Sequence, residues 1–251
     1  MTDDSYMKIT KMDSFIEYVN TLDKKLENQA HKMLLFRGQS NHEQPLVPAI
    51  ARTKVGDRSQ YNVEKEIFNE FKRLSSSHIH KLNITTPWDK LALAQHYGLP
   101  TRLLDWTSSP LIALWFACRN KREEDPEDRI IWVFEFDEDD KAKKNELKND
   151  DPLRIVAPRI FKPNHLTNRI RAQAGWFSIH SFKDGEYVEL NKWQPFQGRF
   201  KKIIIPNGVA HSFMKSLDLF HINASTLMPE LDGIAAHLKW KYLSSHNCRS
   251  K

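Results

Sequence analysis

The chain has 251 residues, 40% of them hydrophobic and 11% aromatic, which is enough for a sizeable core without a disulfide framework. Its formal charge of +6 is a mild excess that favours a polyanionic or phosphate-bearing ligand, but the densest basic pieces, 24–25 and 141–144, lie beside acidic residues and form no basic stripe. Cys118 and Cys248 are too few for a Cys-based zinc site and fit a reducing cytoplasm; the acidic start Met1-Thr2-Asp3-Asp4-Ser5 is no secretory signal, and no run of about eighteen apolar residues reads as a membrane span.

In chain order, Asp13 caps an expected first helix whose Phe15, Val19, Leu22 and Leu26 share one face and should be core. Residues 33–36 form a short apolar run ending at Gly38, read as a strand that delivers Arg37 to a loop or cleft. Residues 61–75 read as an amphipathic helix through Val63, Ile67, Phe71 and Leu74, with Glu66 and Glu70 on a solvated acidic edge. Pro87 and Trp88 start a helix running to about Tyr97. Gly98 and Pro100 then enforce a turn that should bring His96, Arg102 and Asp105 close together.

Ser109 and Pro110 read as an N-cap followed by Pro at the first helical position, and residues 111–118 are apolar nearly all round, as in a buried helix that holds the polar turn rigid. Asp125-Pro126-Glu127-Asp128 reads as a solvated turn, residues 130–136 as a central strand, and 137–151 as an exposed loop or frayed helix. Further strands are expected at 154–157, 176–180 and 202–205, and helices at 209–220 and 229–242. Helices come first and strands mostly later, without regular alternation, linker or repeat. A single α+β domain with a modest mixed sheet flanked by helices follows.

No Gly-rich phosphate loop, Gly-x-Ser-x-Gly elbow or His-Glu-x-x-His occurs, and His78 with His80 lacks further ligands, so neither a Rossmann nor a metal site is expected. Arg37, beside the small Gly38, can offer its guanidinium fork to an anion, or else pair with Asp105 or Glu66. Asp105, among Leu103, Leu104 and Trp106, is expected to be buried and paired with Arg102. His96 is either a general acid or base or a hydrogen-bonded core residue.

Leu35-Phe36-Arg37-Gly38-Gln39-Ser40, Trp88 with Leu91, Gln95-His96-Tyr97-Gly98, Arg169 with Ala172-Gln173-Ala174-Gly175-Trp176-Phe177, and Met228-Pro229-Glu230-Leu231-Asp232-Gly233 together resemble the FRG domain, named for Phe-Arg-Gly. The resemblance runs from about residue 30 to 240. It implies an N-terminal helix packed on the domain (1–29), the FRG domain (30–243) and a flexible C-terminal tail (244–251).

A second motif order is similar to that of ADP-ribosyltransferases: a strand-borne Arg, a Ser/Thr cluster before an Ala-x-x-Phe helix, and a late carboxylate. Its counterparts are Arg37, Thr107-Ser108-Ser109 with Ala113 and Phe116, and an acid in the second half. This resemblance implies NAD as substrate, with ADP-ribosyl transfer or NAD hydrolysis stabilised by a guanidinium, a hydroxyl and a carboxylate. Catalytic candidates are Arg37, Glu230 and His96, with Asp232 reading as charge complementarity at a helix start. Residues expected to contact NAD are Arg37, Gln39, Tyr97, Arg102, Thr107, Ser108 and Gln173, the last standing where the acid is expected; Trp106, Trp176 and Phe177 could stack on a ring or belong to the core. The resemblance also implies a bacterial toxin or phage-defence effector, with a protein or nucleic-acid acceptor, an antitoxin or defence-system partner, and no membrane association. The alternatives are a non-catalytic nucleotide, nucleic-acid or protein binding module, and a metal-independent nuclease using His96 and Arg102.

Overall fold

The computed structural model describes residues 6–41, 44–119, 128–164 and 167–243. In chain order the elements are β1 (Tyr6–Lys8), α1 (Met12–Lys24), β2 (Lys32–Gln39), α2 (Gln60–Leu74), α3 (Ser76–Lys81), α4 (Pro87–His96), β3 (Leu103–Thr107), α5 (Pro110–Cys118) and β4 (Arg129–Asp137). They continue with α6 (Lys144–Asn149), β5 (Arg159–Phe161), α7 (Asn168–Ala172), β6 (Gly175–Ile179), β7 (Phe182–Lys183), β8 (Glu186–Tyr187), β9 (Phe200–Ile205), α8 (Ala210–Leu219), α9 (Ala224–Leu227) and α10 (Leu231–Leu243). The expected tail 244–251, the start at 1–5, Cys248 and most of the turn at 125–128 lie outside the described residues.

Seven strands form one mixed sheet in the order β1-β9-β4-β2-β3-β6-β5, with β1 parallel to β9 and the other neighbours antiparallel. The α+β expectation holds. Alternation along the strands splits the core between two faces. Phe36, Ile131, Val133, Ile203 and Ile205 pack with α1, α5 and α8, whereas Leu35, Leu104, Trp106, Trp132 and Phe134 pack with Leu46, Leu190 and Phe196 on the other side. Among the described residues no helix is long and apolar enough to cross a membrane.

Helix α5 is the central support. Ser109 Oγ accepts from Ile112 N and Pro110 takes the first turn, as the sequence predicts, and six of its nine residues are buried. It lies directly against β2: a Cβ at Gly38 would sit 1.9 Å from the Ala113 carbonyl oxygen and 2.6 Å from Ala117 N. Gly38 therefore makes room for a helix.

Other expectations shift locally. Residue 11, not Asp13, holds the N-cap position of α1, with Asp13 in the first turn. In α2 the most buried positions are Glu64 and Phe68, Val63, Ile67 and Phe71 are half-buried with Phe71 packed on the core, and Leu74 is 66% exposed. Glu64 turns inward to meet a buried arginine. The strand expected at 154–157 is instead a tight turn (Pro152–Arg154) leading to β5, because Pro152 and Pro158 have no N–H to give to a ladder. His78 and His80 lie on the short helix α3.

Candidate functional site

Strands β2 and β3 pair at a single position, Phe36 opposite Thr107. Beside it the Arg37 side chain takes over: its Nη1 donates to the Asp105 carbonyl oxygen at 2.8 Å and lies 3.9 Å from Asp105 Oδ2. A cleft of about 320 Å³ opens there, between β2, β3, the end of α5 and the α7–β6 turn. That volume is at the lower end of the range for small-molecule sites.

Arg37 and Gln39 project from the same face of β2, two residues apart. Gln39 Oε1 accepts from Trp132 Nε1 at 2.7 Å, and since the indole can only donate, the contact fixes the amide orientation. Gln39 Nε2 is left buried, and so is Arg37 Nε, neither with a hydrogen-bond partner among the described residues. Both donors belong to side chains that line the cleft.

The carboxylate of Asp105 is held in place by a relay. Leu103 N donates to Thr101 Oγ1 (3.0 Å), Thr101 Oγ1 donates to Gln95 Oε1 (2.8 Å), and Gln95 Nε2 donates to Asp105 Oδ2 (3.0 Å). Its side chain remains 60% exposed, facing the cleft.

The cleft is positively biased. Arg119 and Arg169 line it with Arg37, against one carboxylate, Asp105. Burial pushes the Arg37 guanidinium down to about 10, with Asp105 opposing and Arg52 adding to the shift, so the group stays protonated at neutral pH. Arg119 is likewise lowered by burial, then by Arg169, with Asp105 opposing. His96 is lowered by burial and by Arg169, against the pull of Glu230 and Asp105, which keeps the imidazole neutral near pH 7.

Of the residues singled out in the sequence, Arg37, Gln39, His96, Thr107 and Gln173 line this cleft. Thr107 and Gln173 spend their polar groups on architecture: Thr107 Oγ1 donates to the Gln173 carbonyl (2.8 Å) and accepts from Ser109 N (3.1 Å), while Gln173 Nε2 donates to the Leu227 carbonyl (3.1 Å). Trp106, Trp176 and Phe177 reach the cleft wall and are otherwise buried. Tyr97, Ser108 and Glu230 are exposed and lie outside the wall.

Arg102 is a correction. It is fully buried, with Nε 2.9 Å from Glu64 Oε2, Nη1 donating to the Leu153 carbonyl and the rings of Tyr61 and Tyr187 beside it. The expected Arg102–Asp105 pair does not form, because Glu64 takes the arginine and leaves Asp105 at the surface for Arg37. Sequence reasoning passed over Arg119, which reads as an ordinary cation at a helix end, and Gln95, noted only within a motif. Among the described residues no His, Cys, Asp or Glu group of three or more could hold a metal ion.

Residues 32–126 match the family model of the FRG domain. The chain carries an FRG domain. No curated protein and no solved structure matches the chain. The FRG match takes in Arg37, Gln39, His96, Asp105 and Arg119 and ends before Arg169 and Gln173, so segments downstream of the match complete the cleft.

Proposed function

We propose that the FRG cleft binds a phosphate-bearing nucleotide, NAD above all, and that the protein breaks the nicotinamide–ribose bond to hydrolyse NAD or transfer ADP-ribose. The observation that carries this reading is the convergence of three guanidinium groups, Arg37, Arg119 and Arg169, on one cleft that holds a single carboxylate. A diphosphate supplies the negative charge and the acceptors that the arginines favour.

Asp105 takes the carboxylate role here in place of Glu230, which stands outside the wall. Held by Gln95, it would stabilise positive charge developing at the ribosyl carbon while the bonding pair leaves with the nicotinamide nitrogen. Neutral His96 would accept the proton of the attacking water or acceptor group, whose oxygen or nitrogen forms the new bond to that carbon. The acceptor class, a toxin or phage-defence role and an antitoxin or defence partner belong to this proposal through the resemblance alone. A cytoplasmic setting is supported by the low cysteine count and the buried, free Cys118.

The test is nicotinamide release from NAD, with and without cell lysate. The wild type should release it, and Asp105→Asn should lose at least about a hundredfold in rate while still binding NAD. Binding without release in the wild type would favour the non-catalytic module. Release unaffected in the Asn variant would remove Asp105 from the mechanism. The nuclease alternative loses one of its two residues, since Arg102 lies in the core.

A further inference from the structure

Helix α10 carries apolar residues on two opposite faces and buries only one of them. Gly233, His237 and Trp240 recur at helical spacing on the docked face. Gly233 is buried so closely that a Cβ there would lie 1.8 Å from the Met228 carbonyl oxygen, His237 Nε2 lies 3.8 Å from Asp218 Oδ1, and Trp240 packs on the core. Leu231, Ala235, Leu238 and Tyr242 recur on the opposite face and are all exposed, as is Ile234 beside them. Leu231 is 84% exposed and Leu238 48%.

A helix that is apolar on both sides belongs inside a structure, and an exposed apolar stripe marks a surface that meets a partner. The stretches of this chain outside the described residues, 1–5, 42–43, 120–127, 165–166 and 244–251, contain no apolar run that could cover it.

The charges beside the stripe say what does. Its spacing is the d-a-d-a pattern of a coiled-coil seam, which puts Asp232 and Lys239 at the flanking e positions, and Ile234 and Lys241 at g. Asp232 and Lys239 are exposed, and neither makes an ion pair among the described residues. Two antiparallel copies of one helix bring e beside e, so Asp232 of each copy faces Lys239 of the other. Leu231 then meets Tyr242 of the second copy, and Ala235 meets its Leu238. A parallel pair would instead set e beside g and leave Lys239 against Ile234, with no charge matched.

We infer that the outer face of α10 is a two-fold interface, on which a second copy of this chain docks its own α10 antiparallel. The contact is self-complementary, as a closed dimer requires. A pair of short helices buries little surface, so the dimer is weak and reversible.

Sedimentation velocity of the full chain from about 1 μM to about 200 μM tests the pairing, and the wild type should pass from monomer to dimer across that range. Leu238→Glu, at an exposed position in the middle of the stripe, should stay monomeric at every concentration with an unchanged Tm. Lys239→Asp sets like charges opposite each other twice and should weaken the dimer about tenfold, whereas Asp232→Lys combined with Lys239→Asp should recover most of that loss. A wild type that is monomeric throughout would overturn the inference and leave the stripe to a partner of different sequence. A dimer that persists in Leu238→Glu would place the interface elsewhere, and no recovery in the double variant would overturn the antiparallel register.

Discussion

Two arginine–carboxylate pairs, one at the start of β3 and one within it, have opposite characters. Arg102 and Glu64 are 0% and 1% exposed in their side chains, 2.8 Å apart, and Glu64 accepts in addition from the Arg102 backbone N–H and from Tyr187 Oη. Arg37 and Asp105 are 15% and 60% exposed and 3.9 Å apart, a looser pair that opens on the cleft. A pair that uses nearly all its hydrogen-bonding capacity internally is architecture, whereas one held short of contact in an open cleft has capacity left for a ligand. The Tyr187 hydroxyl, pushed far up by burial and by Glu64, stays a donor throughout, in keeping with a static network.

The contrast can be broken or sharpened by experiment. Glu64→Ala should be the most damaging change, since it leaves the Arg102 charge buried without its partner; a loss of about 3–5 kcal/mol is expected, lowering Tm by roughly 10 °C in thermal melts. His180 is buried between the two pairs and feels both Arg37 and Arg102. Burial first, then those guanidinium groups, hold it down to about 4 against the Val188 carbonyl contact. As pH falls from about 6.5 the unfolded chain binds a proton that the folded chain refuses, so stability declines until about pH 4 and is full above 6.5. The loss is on the order of 3 kcal/mol, and His180→Gln should flatten that slope in melts recorded across the range.

Gly38→Ala comes next. The new methyl would meet the α5 backbone, so a cost of about 1–3 kcal/mol is expected in denaturant unfolding, with lost cleft geometry. Gln95→Ala should cost only about 1 kcal/mol but release Asp105 from its relay, visible as a drop in nicotinamide release larger than the drop in NAD affinity. Equal drops in rate and affinity would show that the relay serves binding alone.

Much of this fold was legible in residues 87–118. Thr86 and Ser109 cap, Pro87 and Pro110 start the helices, and Gly98 turns with φ of 86°, all of which are local chemistry. Strand β3 was not read, because Leu103–Thr107 is too short and mixed to show a strand period beside a strong turn signal. Arg37, Gln39 and His96 stood out through their motifs and line the cleft, but the partner of Arg102 was not legible. Glu64 lies on a helix that looks amphipathic on another face, and only the tertiary structure shows it turning inward to Arg102. Glu230 stands outside the cleft wall, and a carboxylate near a helix start carries no sequence mark of whether it faces a cleft.

Titrating NAD into wild type and Arg37→Ala, with thermal stability followed in parallel, decides whether the Arg37 cleft is a nucleotide site. Saturable binding is expected in the wild type, with a loss of about a hundredfold in affinity in the variant and little change in Tm. Equal NAD binding by both proteins, or a variant that loses stability as Glu64→Ala does, would contradict it and make Arg37 another piece of the scaffold.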